Sequence, residues 1–205
     1  MAAIIAPMML QAGGIGVYIP YTASVSVSGT NYSSSSYGSS DYDYSHDLDS
    51  TTGLGIALYT NLGKESIFGY QFALEFTNPT YTTKYGYTHE DKKIEMLHTF
   101  EFGIVNTEVI KVWLGPRINV GFQSYDNNGY TRNGLEIGIA PAVGINVNLG
   151  EYFAIVFDVD YKFAGGFGSY DSTSNYSTSS GTYDESVKGI TARAGVVLKF
   201  GEEYY

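Results

Sequence analysis

Residues 135–149 read LEIGIAPAVGINVNL and alternate bulky apolar residues with small or polar ones at every second position. Successive side chains of a β-strand point to opposite faces, so this spacing puts the apolar residues on one side of a strand, whereas a helix would spread them over all faces. A period of two recurs along the chain and gives eight candidate strands in all. We therefore predict an all-β fold: an eight-stranded antiparallel up-and-down transmembrane β-barrel.

Composition agrees with one β domain and restricts the partners. The chain has 205 residues, a net charge of −10 and 11 Lys and Arg, too few to bind a phosphate backbone, so we expect no nucleic acid partner. It contains no Cys, so disulfides and thiolate metal sites are excluded. We predict a barrel over residues 14–200, a C-terminal tail over 201–205, and, over residues 1–13, either the remnant of a secretory leader or an N-terminal tail.

The connections between the candidate strands alternate in length. Short turns are predicted at 61–66, 106–108 and 150–151, and long polar loops at 31–50, 78–93, 125–133 and 165–187. All long loops fall at one end of an up-and-down meander, an asymmetry typical of outer-membrane barrels. Pro20, Pro116 and Pro141 lie inside strands, where each removes a ladder donor, so we expect bulges or a rim there.

Orientation decides between a membrane barrel and a soluble, lipocalin-like carrier with its apolar face inward. Eight sets of large apolar residues would overfill a narrow lumen, so we assign them to lipid. The residues predicted to face lipid include Phe68, Phe72, Phe76, Phe100, Phe102, Leu114, Ile118, Ile137, Ile139, Phe157, Leu198 and Phe200. The opposite face supplies a balanced lumen network of six acids and five bases: Glu75, Glu95, Glu101, Glu136, Asp158 and Asp160 with Lys111, Arg117, Lys162, Arg193 and Lys199.

Catalytic and metal sites are not indicated by the pattern. Asp158 and Asp160 have the spacing of paired catalytic carboxylates, but the lumen bases offer them ordinary ion pairs. The acidic run 41–49 could hold a cation, yet it lacks the spacing of a calcium loop. His98 is the one titratable residue on the apolar faces, and we expect it to be neutral or near a rim. We predict no enzyme, no cofactor and no metal.

The first and last long loops are rich in Ser, Tyr, Gly and Asp. Tyr supplies contact area at low entropic cost and Ser supplies adaptable hydrogen bonds, as in binding loops. Candidate contact residues are Tyr37, Tyr42, Tyr44, Tyr170, Tyr176 and Tyr183. Flexible loops that merely shield the barrel mouth are an equally good interpretation.

The architecture, ending in the strand AGVVLKF (194–200), resembles the small bacterial outer-membrane barrels, of which the OmpA transmembrane domain and OmpX are examples. The resemblance implies location in the outer membrane, lipid as a partner, and a terminal aromatic residue read by the barrel-assembly machinery. Here either Phe200 or Tyr205 would serve, because the chain continues with GEEYY. We expect a structural and surface-interaction protein that contacts a host or extracellular ligand; the alternatives are a porin-like small-solute channel and the soluble carrier. The oligomeric state stays open.

Overall fold

A computed structural model describes residues 13–35, 38–60, 67–82, 88–127, 129–173 and 178–200. These ranges contain eleven β-strands: β1 Gly14–Ser35, β2 Gly38–Leu48, β3 Thr51–Thr60, β4 Phe68–Thr77, β5 Thr80–Thr82, β6 Thr88–Glu90, β7 Lys92–Asn106, β8 Ile110–Asn127, β9 Tyr130–Leu149, β10 Phe153–Thr173 and β11 Thr178–Lys199. The described residues include no helix that is long and apolar enough to cross a membrane.

Eight of the described strands form a closed ring in the order β1, β3, β4, β7, β8, β9, β10 and β11, and β11 pairs back with β1. Neighbours in the ring are antiparallel and connected up and down. β2 continues the line of β3 along the upper half of β1, while β5 and β6 make a short hairpin. The predicted eight-stranded antiparallel barrel is confirmed.

The register explains how a period of two becomes an inside and an outside. Ile15 of β1 lies between Leu58 of β3 and Leu198 of β11 in one row of pairs. Ile15 and Leu198 are exposed on the outer surface, whereas the next residues in sequence, Gly16 and Lys199, are buried in the lumen. Residues paired across neighbouring strands point to the same side of the sheet. The apolar side chains of adjacent strands therefore form one continuous outer surface.

A bulge in β1 changes this facing partway along the strand. The pairing of β1 with β11 shifts between Thr22 and Ser24, and an extra residue at such a point turns the following side chains to the other face. Val25 and Val27 therefore point into the lumen and are buried. The period of two alone, continued along β1 from Ile15, predicts the outer face for both valines, and that prediction is wrong because of the bulge.

The three prolines lie in mid-strand and not at a rim. Pro116 of β8 pairs with Pro141 of β9, and each lies at a gap in the ladder to its other neighbour: β7 for Pro116 and β10 for Pro141. Pro20 lies at a gap between β1 and β3, two residues before the bulge. Since proline has no N–H to donate, the missing rungs are the direct result of its chemistry.

The predicted long loops are mostly strands. β1 runs to Ser35, which pairs with Gly38 at the start of β2. β10 and β11 are paired along their whole length, from Thr173 with Thr178 to Phe153 with Leu198. β11 has 22 residues, about twice the 9–11 that a tilted strand needs to cross a bilayer. The barrel wall thus continues past the apolar surface as an extension, which we call the hairpin end; the opposite end, with residues 14 and 199, is the terminal end.

The terminal end has tight connections, as predicted. β7 ends at Asn106 and β8 begins at Ile110, while β9 and β10 are separated by Gly150, Glu151 and Tyr152. Gly150 has φ of 79°, a left-handed conformation that residues with a Cβ adopt at a cost. The predicted turn at 61–66 lies outside the described residues.

Candidate functional site

The outer surface of the ring carries a continuous belt of large apolar side chains. They stand at every second residue and alternate with residues buried in the lumen. The belt includes all the residues that the sequence assigned to lipid; Phe72 is half-buried beside His98 and the others are exposed: Phe68, Phe76, Phe100, Phe102, Leu114, Ile118, Ile137, Ile139, Phe157, Leu198 and Phe200. A soluble carrier would need the apolar side chains to point into the barrel, whereas here they point outward.

The middle of the lumen is filled by an arginine cluster of Arg117, Arg193, Glu75, Asp158 and Asp160. Nη1 of Arg117 lies 2.8 Å from Oδ1 of Asp158 and 2.5 Å from Oδ2 of Asp160, and Nη1 of Arg193 lies 3.3 Å from the same Asp158 oxygen. Arg193 also pairs with Glu75 and Asp160. Every side chain of the cluster is at most 6% exposed. Charges this deeply buried are tolerated only with such multiple partners.

A lysine cluster of Lys93, Lys162, Glu95, Glu136 and Asn119 lies above the arginine cluster, toward the hairpin end. Nζ of Lys93 is 2.8 Å from Glu136 and 3.4 Å from Glu95. Nζ of Lys162 is 2.9 Å from Glu136 and 3.1 Å from Glu95, and Nδ2 of Asn119 donates to both carboxylates. Two positive and two negative charges therefore alternate in one layer. Lys93 was not predicted, because the sequence placed it in a loop.

Toward the terminal end the lumen holds aromatic side chains and one further ion pair. Nζ of Lys111 lies 2.8 Å from Oε2 of Glu101, and both side chains are buried. Nε1 of Trp113 donates to Oδ1 of Asn146 over 3.3 Å. Lys199 donates to the carbonyl of Gly150 over 3.3 Å, next to the terminal rim. Each of the eleven predicted network residues therefore lies on the lumen side, but in three separate layers.

Near the hairpin end, the carboxylate of Glu185 accepts hydrogen bonds from several side chains in the lumen. Oε2 of Glu185 lies 2.5 Å from Nη2 of Arg132, while Nε2 of Gln123 donates to Oε1 over 2.6 Å. The hydroxyl of Tyr44 donates to Glu185 over 3.3 Å, and the guanidinium of Arg132 lies 4.0 Å above the ring of Tyr183. Burial, together with the negative charge of Glu185, raises the pKa of Tyr44. The sequence missed this group, because both Arg132 and Glu185 fall in predicted loops.

A cavity of about 40 Å3 separates the lysine cluster from Glu185. Its lining includes the apolar side chains Val25, Val27 and Val187 together with the charged residues Lys162 and Glu136. A volume of this size accommodates a few water molecules beside polar partners.

The predicted contact tyrosines divide between the surface and the interior. Tyr42 is exposed, Tyr44 is half-buried and packs against the lumen valines, and Tyr170 and Tyr183 are 7% and 2% exposed and face the lumen. The ring of Tyr170 stacks on Tyr130 with centroids 6.0 Å apart, and burial raises the pKa of Tyr130 to about 12. Tyr170 and Tyr183 are thus largely buried in the lumen, because their strands continue where loops were expected. Tyr170 also lines an open depression on the outer side of the wall. Tyr37 and Tyr176 lie outside the described residues.

The outward face of the extension is a sheet of hydroxyl and carboxylate side chains. Oγ1 of Thr30 donates to Asp43 over 2.8 Å, and the Tyr32 hydroxyl donates to Asp184 over 3.3 Å. Beside them lies an open depression of about 460 Å3, the outer groove, whose lining includes Tyr32, Ser34, Asp41, Ser169, Asp171, Ser180 and Thr182. Among the described residues no group of three or more His, Asp or Glu is placed to hold a metal ion.

Comparisons with known proteins agree with this architecture. No protein-family model matches the chain, and no curated protein matches its sequence. Among solved structures, the outer membrane protein OprG from Pseudomonas aeruginosa matches with a TM-score of 0.61 and 14% identity, over 93% of this chain and 98% of that one. The likeness shows the fold: the chain folds as a small bacterial outer-membrane β-barrel, which confirms the resemblance seen in the sequence.

Two further solved barrels match less closely in shape. Ail, the attachment invasion locus protein of Yersinia pestis, has a TM-score of 0.38 and 12% identity over 87% of this chain and 99% of that one. The outer membrane protease OmpT from Escherichia coli has a TM-score of 0.43 and 9% identity over 91% and 97%. At such identities a likeness extends to the fold and not to ligands or activities.

Proposed function

We propose that this protein is anchored in the bacterial outer membrane and acts, without enzymatic activity, as a structural and surface-interaction protein. One observation carries the proposal: the barrel is apolar outside and ionic inside, and its wall continues beyond the apolar belt as a hydroxyl-rich extension. In water the belt would be a large exposed apolar surface, whereas in lipid it is the favourable arrangement. The belt would anchor the chain and the extension would meet the partner.

Lipid is the first partner in this proposal. Along β8 the outward apolar residues run from Ile110 to Phe122, and polar Ser124 and Asp126 follow. A tilted strand crosses the hydrocarbon with about 9–11 residues, so the belt covers the membrane and its borders. Each strand of the ring has a neighbour on both sides, so apart from the rungs missing beside the three prolines the ring presents no unpaired strand edge to hydrocarbon.

The barrel-assembly machinery is a second proposed partner, during biogenesis. Phe200 follows the last residue of β11 and is exposed on the outer surface, while its backbone N–H donates to the carbonyl of Gly13 over 3.0 Å. An aromatic residue held in this way at the end of the closing strand is accessible to the barrel-assembly machinery. Tyr205, the other candidate, lies outside the described residues.

The proposed extracellular partner binds at the outer groove. The groove offers hydroxyls of Tyr32, Ser34 and Thr182 and the carboxylates of Asp41 and Asp171 on a flat sheet face. Tyrosine contributes rigid contact area, and hydroxyls adapt to many hydrogen-bonding surfaces. A polar macromolecule on the outside of the cell fits this chemistry better than an apolar small molecule.

Binding of vesicle-reconstituted barrels to immobilised fibronectin, laminin and a neutral glycan array tests the proposal. We expect at least one of these probes to bind, with binding at least fivefold weaker after Tyr32→Ala plus Asp171→Ala. Tyr152→Ala is the matched control, because Tyr152 is an exposed tyrosine at the terminal end. Lack of binding to every probe, or equal binding by the groove variant, would count against the surface-interaction role.

A small-solute channel is the second candidate, and the cavity of about 40 Å3, with Lys93, Lys162 and Glu136 in its lining, is the observation in its favour. Against it, the arginine cluster fills the cross-section below the cavity, as eight-stranded barrels usually do. Conductance across a planar bilayer separates the two functions. If the barrel serves only as an anchor, the intact protein should carry no steady current. If it is a channel, it should carry a current that Arg117→Ala or Glu136→Ala alters.

A further inference from the structure

Two polar side chains form a hydrogen-bonded pair within the apolar belt. Oη of Tyr70 on β4 lies 2.6 Å from Nδ1 of His98 on β7. The outward residues of β7 are Ile94, Met96, His98, Phe100, Phe102 and Ile104, so the imidazole is the third of six and lies in the middle of the belt. The sequence had suggested that His98 is either neutral or near a rim; the structure puts it at the depth of Ile118 on β8, away from a rim.

Hydrogen-bond accounting shows that this pair is incomplete. If the Tyr70 hydroxyl donates to Nδ1, the imidazole keeps an Nε2–H donor and the phenol oxygen keeps a free acceptor site. If Nδ1–H donates instead, Nε2 becomes the free acceptor and the phenol O–H the free donor. Either tautomer leaves one donor and one acceptor, and the described residues provide no further partner for them. Acyl chains provide none either.

The groups around the pair form an aromatic patch of tilted and edge-to-face rings. Phe68 packs on Phe102 and Tyr70 on Phe100, each with ring centroids 5.4 Å apart, and Phe72 packs on His98 at 5.2 Å. The patch lies on β4 and β7, of 10 and 15 residues, whereas β10 and β11 have 21 and 22. Phe68, Phe100 and Phe102 of the patch are exposed on the outer surface, where a neighbour in the membrane can approach them.

We propose that the patch is a self-association surface, on which a second copy of this chain binds within the membrane. A two-fold axis beside the pair brings Tyr70 and His98 of one copy against the same residues of the other. The free donor of each pair then meets the free acceptor of the other, so both pairs are satisfied by two reciprocal hydrogen bonds. A lone donor and a lone acceptor at fixed separation complement themselves, which is why a second copy is the occupant.

Cysteine cross-linking tests the geometry, because the chain has no native Cys. Phe100→Cys places a thiol beside the pair, and Phe157→Cys places one on a different part of the belt with similar exposure. Each variant is expressed in the outer membrane and oxidised there. We expect a disulfide-linked dimer from Phe100→Cys and mainly monomer from Phe157→Cys. Equal cross-linking at the two positions, or none at Phe100→Cys, would overturn the proposal.

The role of the polar pair is tested by the association constant in lipid vesicles, measured by energy transfer between labelled copies. Two hydrogen bonds of average strength within a membrane correspond to roughly an eightfold change in association. We expect that loss after His98→Phe or Tyr70→Phe, and no change after Tyr161→Phe, which removes a phenol from the belt at β10. Heat-modifiable gel mobility reports whether each variant is folded. Folded His98→Phe and Tyr70→Phe variants that associate as well as the parent would refute the reciprocal bonds.

Discussion

Glu136→Gln is expected to destabilise the barrel strongly, and the lysine cluster gives the size of the effect. The Glu136 side chain is 1% exposed and lies 2.8 Å from Nζ of Lys93 and 2.9 Å from Nζ of Lys162. Removing its charge leaves two lysines facing the single carboxylate of Glu95. Breaking a buried ion pair on one side costs about 3–5 kcal/mol, and we expect a loss in that range for the free energy of unfolding.

The compensated variant Lys93→Met plus Glu136→Gln separates charge balance from loss of contacts. It leaves Lys162 and Glu95, which are 3.1 Å apart, as a complete pair. We therefore expect the double variant to be more stable than the sum of the two single losses by about 2 kcal/mol, within the range measured for contacting residues. Glu151→Gln, at an exposed turn, is the control and should change stability by less than about 0.5 kcal/mol.

Denaturant unfolding in lipid vesicles provides the measurement, with the fluorescence of Trp113 as the probe. The chain has one Trp, and it is 2% exposed inside the lumen, so its emission reports opening of the barrel. Midpoints and slopes give the free energy of each variant. Strict additivity of the two single substitutions, or a loss from Glu136→Gln no larger than that from Glu151→Gln, would refute the account of the lumen as a compensated ionic network.

Three further outcomes follow from individual positions. Gly144→Ala should cost about 1–3 kcal/mol in unfolding free energy, because a Cβ there lies 2.5 Å from Cε2 of Trp113; Gly165→Ala, whose Cβ meets nothing within 4 Å, should be neutral. Gly150→Ala should cost about 1 kcal/mol in the same assay, since φ is 79°. Ultraviolet titration should show that Tyr130 ionises near pH 12. Because its pKa is higher in the folded than in the unfolded state, its contribution to the free energy of unfolding is complete below about pH 10 and is lost as pH rises toward 12. Tyr130→Phe should remove that pH-dependent loss.

Sequence reasoning succeeds where one face of a strand meets a medium unlike the other face. Along β9 the residues Ile137, Ile139 and Val143 are exposed, and Glu136 and Asn146 are buried, as the period of two requires. An apolar outer surface on one side and an ionic lumen on the other make the alternation strong. The belt and the eleven lumen charges could for that reason be assigned from spacing alone, although their partners could not.

The pattern fails where an added residue changes the facing. Val25 and Val27 continue the apolar series of β1 in sequence, but the bulge after Thr22 turns them into the lumen. They line the small cavity there. Nothing in the local composition distinguishes a bulge from a straight strand at this position, because the residues on both sides suit either face.

The hairpin end was misread for a physical reason that also bears on its role. Beyond the belt both media are aqueous or polar, so a strand there needs no apolar face, and Ser, Thr, Tyr and Asp on both sides look like a loop. The remaining signal was the period itself, since Tyr183, Glu185 and Val187 continue the series that leads to Arg193. Because backbone pairing holds this wall together, its outward side chains are not needed to pack the lumen. The outer groove therefore presents Tyr32, Asp171 and their neighbours on hydrogen-bonded strands, so a partner that binds them would meet side chains whose backbone is already paired.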